Sequence, residues 1–199
     1  MNTIDFSPYK GLIFDMDGTL IDTMPAHLAA WHATAERFNF PFNQNWLHSL
    51  GGMPSFRIVT EVNRQHGLSL DPKTVSRYKM DTFSEMEHHG EIISCTGNVL
   101  NEYLGSKKIA VGTGSQKDTA LRLLAKAGLL RKLDALVTAS DVENHKPSPD
   151  TFLIAAEQIG LTAEQCVVFE DTELGRQAAH AAGMDCIMVE NGKLVLYPL

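Results

Sequence analysis

The sequence predicts an α/β protein: a parallel sheet core flanked by helices, with a small all-helical segment inserted after the first strand. Three observations carry this. Short apolar runs that do not alternate recur along the chain; helical stretches that stop at glycine separate the later runs; and the stretch from about Met24 to Glu91 holds no convincing strand. A length of 199 residues suits one core domain with a modest insertion.

The strands come first. Gly11–Phe14, Lys108–Gly112, Ala135–Thr138, Cys166–Phe169 and Asp185–Val189 are rich in Val, Ile, Leu and Phe. Unbroken apolar runs of this length are expected where helices cover both faces of a sheet. Between the first two runs, His27–Phe38, Gln44–Leu50, Ser55–His66 and Pro72–His88 read as helices. Gly51-Gly52 with Pro54 breaks one pair, and Gly67 with Pro72 breaks another. After the second strand, helices are expected at Asp118–Ala127, Asp150–Ile159 and Glu173–Ala182, stopped by Gly128, Gly160 and Gly183. Strand and helix in alternation indicate a parallel sheet. The domain division expected is a core of residues 1–22 and 92–199 and a helical cap of residues 23–91.

Charge and composition narrow the partners. The formal net charge is −7 and no basic run stands out, so nucleic acid is not an expected partner. A small anionic metabolite remains compatible, because a local cation outweighs total charge. The first residues, Met1 to Asp15, lack a basic region followed by a long apolar stretch, and no apolar run reaches the roughly 18 residues of a membrane span. Three widely spaced cysteines, Cys95, Cys166 and Cys186, argue against a disulfide framework. Cys166 and Cys186 sit in apolar runs and read as buried. The expectation is a cytoplasmic, monomeric protein.

Four predicted strands end in polar residues: Asp15-Met16-Asp17-Gly18-Thr19, Thr113-Gly114-Ser115, Asp141 through Lys146-Pro147, and Glu170-Asp171. Ligands of open parallel sheets bind at the carboxyl ends of strands, so these residues should converge. Asp15, Asp17 and Asp171 cannot all stay ionised together cheaply unless a cation joins them. Oxygen ligands suit Mg2+, which keeps room for substrate phosphate oxygens. Lys146, the Thr113 hydroxyl and backbone N–H groups add positive charge and donors, a combination that fits a phosphoryl group in transfer. Of two aspartates two residues apart, one can attack as nucleophile and the other can move the proton. Gly18 lets the backbone turn beside the phosphate.

Bland readings stand beside these. Asp-Gly after an apolar run is often only a turn. Ser115 reads more readily as a helix N-cap than as a ligand. Lys146 could be a solvated loop residue, and Glu170-Asp171 a helix start favoured by the dipole. His88-His89 reads as solvated surface, His145 as structural or exposed, and Met53, Met80 and Met86 as packing.

Taken together, the four motifs resemble those of the haloacid dehalogenase (HAD) superfamily. GLIFDMDGTLIDT, AVGTGS, HKPSPDTF and VVFEDTELGRQAA are similar to its β-phosphoglucomutase-like branch, and most of all to bacterial fructose-1-phosphatase-type enzymes. The resemblance covers essentially the whole chain. It implies a Rossmann-like core with a C1 cap and a magnesium-dependent sugar phosphatase working through an aspartyl phosphate. It implies Asp15 as nucleophile and metal ligand, and Asp17 as general acid/base and metal ligand through its carbonyl. Gly18, Thr113, Gly114 and Lys146 would hold the phosphate, and Asp171 the metal, with Glu170 assisting directly or through water. By the same analogy His27, Gly52, Ser55, Arg57 and Lys79 are candidate substrate contacts in the cap.

The branch also contains β-phosphoglucomutases, in which a cap arginine grips a distal phosphate. Ser55 stands at the aligned place here and Arg57 follows two residues later. That departure favours hydrolysis over the mutase alternative. Asp17-Gly18-Thr19 speaks against a dehalogenase, and the intact acidic set against a non-catalytic binding protein.

Overall fold

The computed structural model describes residues 4–199; residues 1–3, the start of the expected core segment, lie outside it. The sheet has six strands: β1 (Gly11–Phe14), β2 (Lys108–Gly112), β3 (Ala135–Val137), β4 (Cys166–Glu170), β5 (Asp185–Glu190) and β6 (Lys193–Tyr197). Their order is β3-β2-β1-β4-β5-β6. The first five pair in parallel, and β6 returns antiparallel along β5. The five apolar runs are therefore the five parallel strands.

The two-residue period of a strand explains why those runs do not alternate. Leu12, Phe14, Ile109, Val111, Val167 and Phe169 join a core on one face of the sheet. Ile13, Ala110, Val137 and Val168 join a second core on the other. Phe14 stacks on Phe169 with ring centroids 4.3 Å apart. Full burial of such side chains contributes about 1.5–3 kcal/mol each.

Between β1 and β2 lie α1 (Met24–Phe38), α2 (Gln44–Ser49), α3 (Ser55–His66), α4 (Pro72–Ser84) and α5 (Ser94–Tyr103). The first four close on their own core of Trp31, Leu47, Ile58, Val59, Val62 and Val75. The first helix begins at Met24 rather than His27, because Pro25 suits a first helical turn. The fourth stops at Ser84, short of the expected His88. There His89 turns back and its ring Nε2 meets the Phe83 carbonyl at 2.8 Å. His89 is thus buried, which corrects its reading as solvated surface.

The later helices are α6 (Lys117–Lys126), α7 (Asp150–Gln158) and α8 (Glu173–Ala181). Gly128, Gly160 and Gly183 follow them at φ of 69°, 72° and 76°, the left-handed conformation that ends a helix. Two elements were not anticipated. The fifth helix contains Gly97, Thr96 and Asn98, all poor helix formers, yet it buries Val99 and Leu100. The sixth strand follows an Asn191-Gly192 turn, with φ of 51° and 73°. Asn-Gly between two strands is a strong hairpin signal.

Candidate active site

The loops after β1, β2 and β4, and the segment after β3, meet at the carboxyl ends of the parallel strands. Asp15 follows β1 directly, and its N–H donates to the Phe169 carbonyl at 2.9 Å. Lys146 reaches it across 131 residues: its Nζ lies 2.6 Å from Asp15 Oδ1 and 2.6 Å from Glu170 Oε1. These three side chains are essentially sealed from solvent. The reading of Lys146 as a solvated loop residue is set aside.

Glu170 is fully engaged. Lys146 takes one oxygen; the N–H groups of Asp171 and Thr172 and the Thr172 hydroxyl donate to the other, each at 2.9 Å. Its work is to fix Lys146 and the loop that carries Asp171. Asp171 accepts one hydrogen bond, from Thr19 Oγ1 at 3.1 Å. Gly18 is required beside it: φ is +87°, and a methyl group there would lie 2.3 Å from Asp171 Oδ2.

Oxygens of Asp15, Glu170 and Asp171 all lie within 4.8 Å of one another. Burial pushes the Asp15 carboxyl well above its ordinary value; Lys146 opposes this, while Glu170, Asp171 and Asp17 reinforce it. Burial and then the Glu170 charge push Asp171 up to about 7. Burial alone would lower the Lys146 pKa, but the two carboxylates raise it. The cluster thus holds more negative charge than Lys146 offsets, and its hard oxygens fit a divalent cation.

Asp17 faces the other way. Thr23 Oγ1 donates to its Oδ1 at 2.7 Å and Ser115 Oγ to its Oδ2 at 2.7 Å. His27 Nε2 lies 3.3 Å from Oδ1, and Thr113 Oγ1 donates to Oδ2 at 3.4 Å. Burial would raise its pKa, but His27, Thr23 and Ser115 outweigh that and hold it below the ordinary value. Its carboxylate stands apart from the acidic cluster. Ser115 therefore belongs to the site and is not the N-cap of α6, which is Gln116.

Behind Asp17 runs a chain of contacts into the helical segment. Lys79 Nζ meets His27 Nδ1 at 2.6 Å. A protonated Lys79 donates there, and in that state the imidazole proton is on Nε2, toward Asp17. Burial first, and then the Lys79 charge, keep the His27 pKa low. Its ring stacks on Phe83 with centroids 4.1 Å apart.

Lys79 is only 2% exposed, and burial lowers its pKa to about 7 from 10.5. Below pH 7 the folded state bears the cost of a buried charge; above 10.5 neither state does. Stability should therefore rise with pH across that window, as far as this group controls it. Denaturant titrations of wild type and Lys79→Met across the window test this, with the rise reduced in the variant. An identical rise in both proteins would mean that Lys79 is not the group responsible.

A cavity of about 990 Å³ opens between the helical segment and the strand ends. Asp15, Asp17, His27, Gly52, Ser55 and Lys79 line it, together with Gly114 and Ser115. Met53 and Met80 also line it, while packing against the apolar cores as expected of them. Ser55 Oγ lies 3.5 Å from Met80 Sδ. Arg57 is exposed and outside the cavity lining, so it does not join the other cap candidates there. The loop before α3 closes on the strand ends very tightly. A methyl group at Gly114 would lie 2.3 Å from the Gly52 carbonyl oxygen.

A doubly covered parallel sheet with four strand-end motifs and a helical segment over them defines a hydrolase class. The chain belongs to the family described as haloacid dehalogenase-like hydrolase, whose model matches residues 12–189. It is 40% identical to fructose-1-phosphate phosphatase YqaB of Escherichia coli (strain K12), over 92% of this chain and 98% of that protein. It is 25% identical to a β-phosphoglucomutase of Bacillus subtilis (strain 168), over 94% of this chain and 86% of that one. Among solved structures, a hydrolase from Pseudomonas syringae superimposes with a TM-score of 0.81 at 27% identity, covering 89% of this chain and 83% of that one.

Proposed function

We propose that this phosphoric monoester hydrolase removes phosphate from small sugar phosphates of the fructose 1-phosphate kind, with Mg2+ and an aspartyl-phosphate intermediate. The observation that carries the reading is the pairing of Asp15 with Lys146 at 2.6 Å beneath the cavity, with Asp17 on its other side. Likeness to fructose-1-phosphate phosphatase YqaB supports the substrate class. Residues 23–91 would act as a cap over a core of residues 1–22 and 92–199.

Asp15 and Asp171 would hold the cation, with Glu170 behind them and the Asp17 carbonyl as a further ligand. When bound, Mg2+ supplies positive charge to phosphate oxygens. Lys146 would hold the same phosphate, together with the Thr113 hydroxyl and the Gly114 N–H. An Asp15 oxygen attacks phosphorus, a new O–P bond forms and the ester O–P bond breaks. The departing sugar oxygen takes a proton from Asp17. Water then attacks the aspartyl phosphate, Asp17 takes its proton back, and phosphate leaves with Asp15 restored.

Asp17 has to be acidic for the first step, yet in the resting site it is held ionised. Ser115 is one of the groups that hold it so, behind His27 and Thr23. A phosphate that drew the Ser115 hydroxyl away would remove that donor and move the Asp17 pKa upward.

The deciding experiment is a sugar phosphate panel with Mg2+ and with EDTA. Phosphate should be released from fructose 1-phosphate or a close analogue only with the metal. Formation of glucose 6-phosphate from β-glucose 1-phosphate, without free phosphate, would replace hydrolysis by the mutase reading. That second reading draws on Lys73 and Arg77, two cations on α4 that also line the cavity.

A further inference from the structure

A second concavity lies at the opposite end of the sheet. It has a volume of about 850 Å³ and sits where β1 and β2 begin and the chain turns toward β3. Lys10, Lys107, Lys108, Arg131 and Lys132 line it, with Asp134 as its one carboxylate. The whole chain has 17 Lys and Arg against 24 Asp and Glu. Five of those cations in one groove are a local reversal of the protein's sign.

Ion pairing does not explain the cluster. Lys108 pairs with Asp134 at 2.7 Å, and Asp134 is further occupied by the Ile109 N–H at 2.8 Å. Lys10 and Arg131 form no ion pair among the described residues and are exposed. Lys132 Nζ donates to Asn101 Oδ1, a neutral group, at 2.7 Å. Lys107 is the most constrained: half-buried, its Nζ donates to the carbonyls of Phe6 and Tyr9. Carbonyls hold an ammonium in place without cancelling its charge; the same Nζ lies 5.2 Å from the Tyr103 ring centroid, and its charge reaches Asp5. Clustered like charge works against the folded state.

We propose that this groove binds a small polyanion bearing two or more phosphoryl groups. Its volume matches that of small-molecule sites, about 300–1,000 Å³. The Ser7 hydroxyl on its wall already donates to Asp5 Oδ2 at 2.9 Å and the Ser106 hydroxyl to the Tyr103 carbonyl at 3.0 Å, so recognition falls to the cations. A long polyanion such as nucleic acid is disfavoured by the chain's net charge of −7, which the groove's cations do not overcome beyond the groove itself. The site is separate from the hydrolytic one. Lys10 precedes β1 and Asp15 follows it, so the strand holds them roughly 16 Å apart.

The test is calorimetric titration of metal-free protein with inorganic tripolyphosphate, using wild type and the double variant K10A/R131A. Saturable binding to wild type is expected, weakened about tenfold or more in the variant. Sugar phosphate turnover without the probe should be unchanged, since neither residue touches the hydrolytic site. Equal affinity in both proteins would move the probe elsewhere and overturn the proposal. So would no saturable binding to wild type. Binding of poly-glutamate in place of tripolyphosphate would also overturn it, by making the groove a docking face for an acidic peptide.

Discussion

Replacing Asp15 by Asn is expected to lower phosphate release by about four orders of magnitude or more, the scale seen when a covalent nucleophile is removed. The amide is nearly isosteric, so the pocket should keep its shape. It remains an acceptor for Lys146 through its oxygen, and Glu170 still holds Lys146 at 2.6 Å. The fold should therefore survive, and a circular dichroism spectrum matching wild type checks this. Substrate binding should persist, because Thr113 and Lys146 are untouched. Single-turnover assays with isotopically labelled sugar phosphate should yield labelled protein for wild type and none for the variant. Near-normal turnover in Asp15→Asn would remove Asp15 from the chemistry altogether.

Lys146→Met should produce the largest loss of stability among the site variants, and should also nearly abolish turnover. The Lys146 side chain is 1% exposed and bridges two carboxylates that are 5% and 0% exposed. Removing one partner of a buried ion pair costs about 3–5 kcal/mol, because the charge left behind has no compensation. Glu170 keeps three other donors, so the unbalanced charge falls mainly on Asp15. Methionine fills most of the lysine volume and still lies over the Phe152 ring, which the Nζ now faces at 4.6 Å. A cavity is thus a minor part of the loss. Urea unfolding in EDTA measures it, and Mg2+ should recover a larger share in the variant than in wild type. A loss below about 1 kcal/mol would mean that the carboxylates take up protons and do not depend on Lys146.

The parallel sheet was readable because burial on both faces leaves its strands no polar alternation. Leu12 and Ile13 serve opposite cores, and the sequence shows both as apolar. The sixth strand is an edge with mostly exposed residues, yet Lys193–Tyr197 reads Lys-Leu-Val-Leu-Tyr, four apolar residues in five, so its apolar signal was present and went unread. The Asn191-Gly192 turn beside it was a second clue. The fifth helix goes against its own propensity and exists through packing: Thr96 Oγ1 donates to the Thr19 carbonyl at 2.6 Å, tying it to the first motif loop.

In the site, Asp15, Lys146 and Glu170 converge as strand-end logic expected. Roles that depend on side-chain direction were less legible. Ser115 looks like any residue before a helix until its hydroxyl is found on Asp17. Arg57 and Lys79 are both helical cations in the same segment, yet one is exposed and the other is sealed against His27. Which face of a helix turns inward follows from packing among α1, α3 and α4, and local residue type does not report it.

The contact between Gly52 and Gly114 bears on how this enzyme could be tuned. Two loops that meet backbone to backbone use a hydrogen atom as the spacer between the helical segment and the strand ends. Any side chain at position 114 would act as a wedge against the Gly52 carbonyl. A side chain at position 114 would thus act on pocket aperture mechanically, beside the phosphate-binding role proposed for the Gly114 N–H.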